Sequence, residues 1–328
     1  MAARGRSRTP PRLVSGLPLP AHADQALFVV DDTPVSLTHL EKVMFPKDIR
    51  KRDLLDYSFA VAPVLLPYLR DRPYTMKRYP DGIGGEWFFQ KEARGPEWLP
   101  TVAMPSDNER GVIHYALCNN TAALLYLVNS GCIDHNVWMS RAATPLQPDI
   151  VLLDLDPGPQ APFSIVAHVA QTIHKLLDDF EIAGYPKTSG ATGLHIWIPI
   201  APGHTFAQTQ QFAALLMRMT AARLPGLVTE VLALADRPRD KIYLDFRQNA
   251  HGKTIPPPYS PRAVPGARVS CPLRWGELTS SLDPARFTIA TMRRRLDHYG
   301  DLFAPTLPGV PHETLQVMLR RIQHKHAA

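Results

Sequence analysis

The chain has 328 residues, 45% of them apolar and 20% charged, with a formal net charge of +6 and a pI of about 9.3. That length supports a large core in one or two domains, and the composition excludes a disordered or fibrous chain. The basic excess suits a polyanionic partner such as nucleic acid, while no apolar run is long enough for a membrane span and no apolar signal core opens the sequence.

Residues 1–20 are rich in Arg, Pro, Ser and Gly, with Arg4, Arg6, Arg8 and Arg12 unopposed by any acid before Asp24. This pattern predicts a disordered basic tail. Thr38, followed three residues later by Glu41, predicts a helix N-terminus with a capping box, ended by Pro46. Apolar spacing over Asp53–Leu69 predicts a helix broken or kinked at Pro63. Tyr74–Tyr79 and Glu86–Lys91 read as strands of a hairpin around Asp81-Gly82 and Gly84-Gly85. The aromatic run Trp87-Phe88-Phe89 beside Lys91 suits base stacking, with one of Phe88 and Phe89 expected inward and the other toward DNA. Lys77–Gly82 superficially suggests a ligase nucleotidyl-lysine motif, but two extra residues intervene and no second adenylation motif follows.

Asn119–Gly131 predicts a helix stopped by Gly131, leading into Cys132–Arg141 with His135 inside it. The cysteines Cys118, Cys132 and Cys271 form no Cys-x-x-Cys pair; a zinc site is unsupported, and a reducing compartment is expected. Ile150–Leu153 is a continuous apolar run closed by Asp154 and Asp156, which predicts a buried strand. Residues i and i+2 of a strand share a face, so both carboxylates project together. Like charges so placed repel unless a cation sits between them, and hard divalent cations take carboxylates plus substrate phosphates. Phe163–Phe180 and Phe206–Leu224 predict amphipathic helices. Between them, Ser189–Gly193 is a glycine-containing turn before a strand starting near Leu194; Ser189, Thr192 and His195 are candidate donors to a phosphate. Lys241–Asn249 predicts another strand, with Asp245 in an apolar setting that is costly without a partner. Lys253 and Arg262 flank a proline-rich path and can neutralise phosphate charge. Pro284–Tyr299 and His312–His324 read as two helices, with Arg293-Arg294-Arg295 expected on a solvated face.

Asp154-Leu155-Asp156-Pro157, Ser189-Gly190-x-x-Gly193-Leu194-His195 and Leu244-Asp245 with Gln248-Asn249, in that order, resemble the polymerase domain of bacterial DNA ligase D, in the archaeo-eukaryotic primase superfamily. Lys42–Pro46, Arg72-Pro73 through Gly82, Phe88–Lys91 and Pro258-Tyr259-Ser260-x-Arg262 extend the resemblance over roughly residues 35–278. The sequence departs from the family pattern at Val137 and Pro257, where many relatives have proline and alanine, at Thr192, where some have lysine, and in the Lys47–Arg50 loop, one residue short.

The resemblance implies an α+β primase-polymerase fold, with a mixed or antiparallel central sheet flanked by helices and a smaller N-terminal α/β region. It implies a catalytic domain over 21–300, with a DNA-end-binding part over about 35–110 and a catalytic core over about 111–278, then a C-terminal helical extension over 301–328. Asp154, Asp156 and Asp245 would hold two Mn²⁺ or Mg²⁺ ions. His135, Ser189, His195, Gln248, Lys253 and Arg262 would surround a nucleoside triphosphate. Lys42 and Lys51 would take a downstream 5′-phosphate, with Phe88 and Phe89 at the DNA end. The implied activity is template-dependent addition of ribo- or deoxyribonucleotides during gap filling and end repair by non-homologous end joining, in the cytoplasm on the nucleoid. Ku and a separate DNA ligase are the implied partners. A de novo primase and a catalytically silent DNA-end-bridging module are the alternatives.

Overall fold

The structure, a computed structural model, describes residues 13–106 and 111–327. β1 (Gln25–Val30) and β2 (Thr33–Thr38) form an antiparallel hairpin, and β3 (Val43–Phe45) pairs with β4 (Ile49–Arg50). α1 (Lys51–Leu69) leads to β5 (Pro73–Arg78), β6 (Phe88–Gln90), β7 (Thr101–Pro105) and β8 (Val112–Leu117). α2 (Thr121–Asn129), β9 (Cys132–Trp138) and β10 (Ile150–Pro157) follow. Next come α3 (Phe163–Asp179), β11 (Tyr185–Thr188), β12 (Leu194–Pro199) and α4 (Phe206–Arg223). β13 (Val228–Thr229), β14 (Ile242–Asp245) and β15 (Thr254–Ile255) precede the final helices α5 (Ile289–Tyr299) and α6 (Leu315–Ala327).

The architecture is the expected mixed α+β, but it is organised on two main sheets. The first has the order β11-β12-β10-β14-β13, antiparallel except for the β13–β14 pair. Central β10 is buried through Ile150–Leu153, as its apolar run requires. The second sheet, β15-β9-β5-β8-β7 with β6 on β5, joins strands from both sides of the expected boundary near residue 110. One hydrophobic core cluster runs from Leu17 to Ile322. Phe303, beside Trp197 at 5.6 Å between ring centroids, and Met318 of α6 belong to it.

The tail expectation for residues 1–12 lies outside the described residues. Residues 13–20 carry no helix or strand, yet Leu17 is buried and its N–H donates to Asp56 Oδ1 at 2.6 Å. The helix expected from Thr38 does not form. Thr38 ends β2, and Glu41 pairs instead with Arg50 and with Arg52. The helix starts at Lys51, where the Asp53 carboxylate accepts from Arg50 N–H at 2.7 Å. α1 then runs through Pro63 and Pro67 without ending. A proline inside a helix costs about 3 kcal/mol, and the burial of Leu54, Leu55, Val61, Leu65 and Leu69 along this helix offsets that cost. Arg294 is exposed, as expected, while Arg293 and Arg295 are partly buried and pair with Asp56 and Glu277.

Candidate active site

The register of the first sheet lines up four polar residues. Lys187 on β11 lies opposite His195 on β12, His195 opposite Asp154 on β10, and Asp154 opposite Asp245 on β14. Residues directly opposite across strands share a face, so these side chains form one row. Asp156, two residues after Asp154, joins the same face. One carboxylate oxygen from each of Asp154, Asp156 and Asp245 lies within 4.8 Å of the others.

Burial, then the Asp156 and Asp245 charges, hold the Asp154 carboxyl well above the usual carboxylate range. Asp156 is also raised, by burial and then by Asp245, against the pull of Arg237. Asp154 Oδ1 is buried and has no hydrogen-bond partner; His195 Nε2 stands 3.4 Å away. A buried, unpaired acceptor beside two more carboxylates is a set of hard oxygen donors lacking a counter-charge, and it fits a divalent cation. These three acids can therefore hold metal.

The Ser189–Gly193 turn is tightly packed. Ser189 Oγ accepts from Ala191 N–H at 3.2 Å and Gly193 N–H at 3.0 Å, so these two donors are already engaged rather than offered to an anion. A Cβ on Gly193 would sit 2.4 Å from Leu155 O, and Gly190 has a φ of +78° with its open side against Arg262; both positions need glycine. Arg262 donates to Ser189 O at 2.7 Å and to Asp134 Oδ1 at 3.2 Å. Ser189, His195 and Arg262 thus gather beside the carboxylates.

Other expected residues are placed differently. On β9, His135 faces away from Asp134 and Asn136, as alternation requires. Its Nδ1 bonds the Tyr74 hydroxyl, and burial lowers its pKa to about 4. It is a neutral histidine beneath the sheet, apart from the row. Gln248 Nε2 donates to Thr254 O at 2.8 Å, closing the β14–β15 turn, and Lys253 lies exposed in that turn. Lys42 and Lys51 do converge, on a cavity of about 180 Å³ also lined by Arg78 and Ser130. Lys42 pairs with Asp81 at 3.0 Å and Lys51 donates to Thr38 O at 2.7 Å. Burial, then the nearby Lys42 charge, push Lys51 down to about 8. Phe88 and Phe89 are both exposed, at 44% and 57%, which corrects the expectation that one turns inward. β6 is a short strand paired, among the described residues, only with β5; Lys77 sits 4.0 Å over the Trp87 ring, and Arg78 5.3 Å from that of Phe88.

Three residues given no role from the sequence support the site. Lys187 ends the row. Asp134 anchors Arg262 and accepts from Ala263 N–H at 2.7 Å. Asn249, 1% exposed, uses its amide as a substitute strand: Oδ1 accepts from Leu152 N–H at 2.8 Å and Nδ2 donates to Leu152 O at 2.7 Å. The hairpin spacing around Ser189–Gly193 would have paired Lys187 with His195. Nothing local marks Asp134, whose partner Arg262 lies far along the chain; Asn249 belongs to the Gln248-Asn249 motif, but its partner Leu152 lies 97 residues away.

The family model for the LigD primase-polymerase domain matches residues 50–303. The bifunctional non-homologous end joining protein LigD of Bacillus subtilis (strain 168) is 33% identical over 293 residues, 89% of this chain and 47% of that protein. The multifunctional non-homologous end joining protein LigD of Mycolicibacterium smegmatis is 30% identical over 283 residues, 84% of this chain and 36% of that protein. The chain therefore spans less than half the length of these relatives. The polymerase domain of Mycobacterium tuberculosis ligase D, solved in complex with DNA, superposes with a TM-score of 0.77 at 27% identity, covering 84% of this chain and 99% of that one.

Proposed function

This chain belongs to the LigD primase-polymerase domain family, and from that premise we propose that it is a template-dependent nucleotidyltransferase that fills gaps and extends ends in non-homologous end joining. The observation that carries the reading is the set of three carboxylates on β10 and β14, within 4.8 Å of one another and containing a buried, unpartnered oxygen.

In this reading Asp154, Asp156 and Asp245 would hold two Mn²⁺ or Mg²⁺ ions. Bound there, such ions lower the pKa of a primer 3′-hydroxyl and neutralise charge on the leaving pyrophosphate. The protein's own residues do the positioning. Ser189, His195 and Arg262 hold the triphosphate against the carboxylates, with Arg262 aimed by Asp134. Gln248 and Lys253, in the β14–β15 turn, are proposed at the nucleotide side, whereas His135, which bonds Tyr74 beneath the sheet, supports the strand rather than touching the nucleotide. The cavity at Lys42 and Lys51 is smaller than the roughly 300–1,000 Å³ of whole small-molecule sites, which suits a phosphate and favours gapped DNA with a 5′-phosphate as substrate. Exposed Phe88 and Phe89, flanked by cations, suit stacking on bases at the DNA end. Partnership with Ku and a DNA ligase is proposed from the end-joining names of the relatives.

The test is nucleotide incorporation with Mn²⁺ on a gapped duplex carrying a 5′-phosphate and on an unprimed template. Extension of the gapped substrate supports the reading. Synthesis on the unprimed template alone indicates a primase, and DNA binding without incorporation indicates an end-bridging module.

A further inference from the structure

Lys187 is fully buried and, among the described residues, has no carboxylate in direct contact. Its Nζ lies 2.9 Å from His195 Nδ1 and 2.6 Å from Ser270 Oγ. The direction of these bonds can be worked out. Ser270 Oγ donates its single proton to Thr188 O at 2.9 Å, so toward Lys187 it can only accept. Nζ has protons enough to donate to both Ser270 Oγ and His195 Nδ1, and the Asp154 carboxylate 3.4 Å from His195 Nε2 selects that direction, because a carboxylate accepts and so favours the proton on Nε2. A neutral imidazole that accepts at Nδ1 carries its proton on Nε2. In His195 that nitrogen faces Asp154 Oδ1.

We propose that Lys187 is a positioning residue that holds His195 in its Nε2–H tautomer, so that an N–H donor, rather than a bare nitrogen, faces the carboxylate row and the phosphate oxygens brought to it. Ser270 and the Thr188 carbonyl complete the device, since Ser270 Oγ spends its proton on Thr188 O and so accepts from Lys187. Burying an amine in this way is costly, and burial, then Arg262, hold its pKa well below the usual lysine range. The β11–β12 register accounts for the choice of partner. Lys187 and His195 are opposed by the hairpin itself, and the turn between them is held rigid by Ser189 Oγ. The role toward phosphate rests on the polymerase reading; the tautomer does not.

The experiment uses the full chain with isotope-labelled histidine and proton–nitrogen correlation spectra, His195 being assigned by difference against His195→Gln. The expected wild-type spectrum shows a protonated Nε2 and a bare Nδ1 at His195. A protonated Nδ1 in the wild type overturns the proposal, and this result needs no variant of Lys187 to fold. Lys187→Met keeps the unbranched stem and removes the donor; it should shift His195 toward the other tautomer, and an unchanged tautomer overturns the proposal. In single-nucleotide incorporation, Lys187→Met should raise the KM for the nucleoside triphosphate on the order of tenfold, with a smaller effect on kcat. An unchanged KM overturns the role toward the nucleotide. The spectroscopic arm requires no turnover, so failure of this inference and failure of the polymerase reading are distinguishable.

Discussion

Asp154 and Asp245 sit directly opposite each other on neighbouring antiparallel strands, a position where like charges destabilise a sheet. The chain keeps this pairing, with Asp156 beside it, at the C-terminal end of β10, the central strand of its sheet. Such a repulsion is tolerable when a cation joins it, and this follows the wider pattern in which functional sites retain locally unfavourable arrangements.

Asp154→Asn should stabilise the metal-free protein. The native carboxyl is held above its ordinary value of 3.8. Its charged form is therefore disfavoured on folding, and the metal-free wild type loses stability as pH rises from that ordinary value to the raised one. At neutral pH in a chelator, the variant should melt about 2–4 °C higher. It should also lose the stabilisation that Mn²⁺ gives the wild type, and lose nucleotide addition. Calorimetry with and without Mn²⁺ checks this; a lower melting temperature together with an intact Mn²⁺ response contradicts it.

Asn249→Ala should act in the opposite direction. It strands the Leu152 N–H and C=O inside the core, each at a cost of about 1–3 kcal/mol. Urea denaturation should show a lower midpoint with an unchanged slope. Metal-dependent activity should fall as well, because Leu152 lies on the strand that carries Asp154.

The 5′-phosphate preference should depend on pH. Lys51 has a pKa of about 8, and its ammonium form is the one that binds phosphate. Competition titration of gapped DNA with a 5′-phosphate against a 5′-hydroxyl should give about tenfold preference at pH 7, equal to about 1.4 kcal/mol. The preference should shrink between pH 7 and 9 as Lys51 loses its proton. Lys51→Arg should retain it at pH 9, and Lys51→Ala should show little at either pH. A flat profile in the wild type would remove Lys51 from the phosphate site.

Phe88→Ala and Phe89→Ala should weaken binding of gapped DNA by about 1–3 kcal/mol for each base left unstacked. Stability should change by no more than about 0.5 kcal/mol, since both rings are exposed. A clear loss of melting temperature in either variant would assign the rings to packing.

The sequence by itself determined the strands and helices whose signals are local. The apolar run into Asp154-Leu155-Asp156 read as a buried strand with two acids on one face, and the glycine turn before His195 marked the start of another strand. Together with the ordered motifs, these identified the family and the acidic cluster. Tertiary structure decided what depends on contacts between distant residues. Thr38 and Glu41 form a plausible capping box, but β1 takes Thr38 into a strand and Arg50 takes Glu41, so the helix begins later. Pro63 reads as a break, yet burial along α1 holds the helix through it. His135 lies one strand position from Asp134, and alternation, fixed only once β9 had paired with β5, sent one ring nitrogen to Tyr74 and the neighbouring carboxylate to Arg262. Lys187 likewise reads as one more basic residue near a phosphate turn; sheet register buries it against His195 and Ser270. Local patterns fix which residues can form a strand, while pairing between strands fixes which side chains meet.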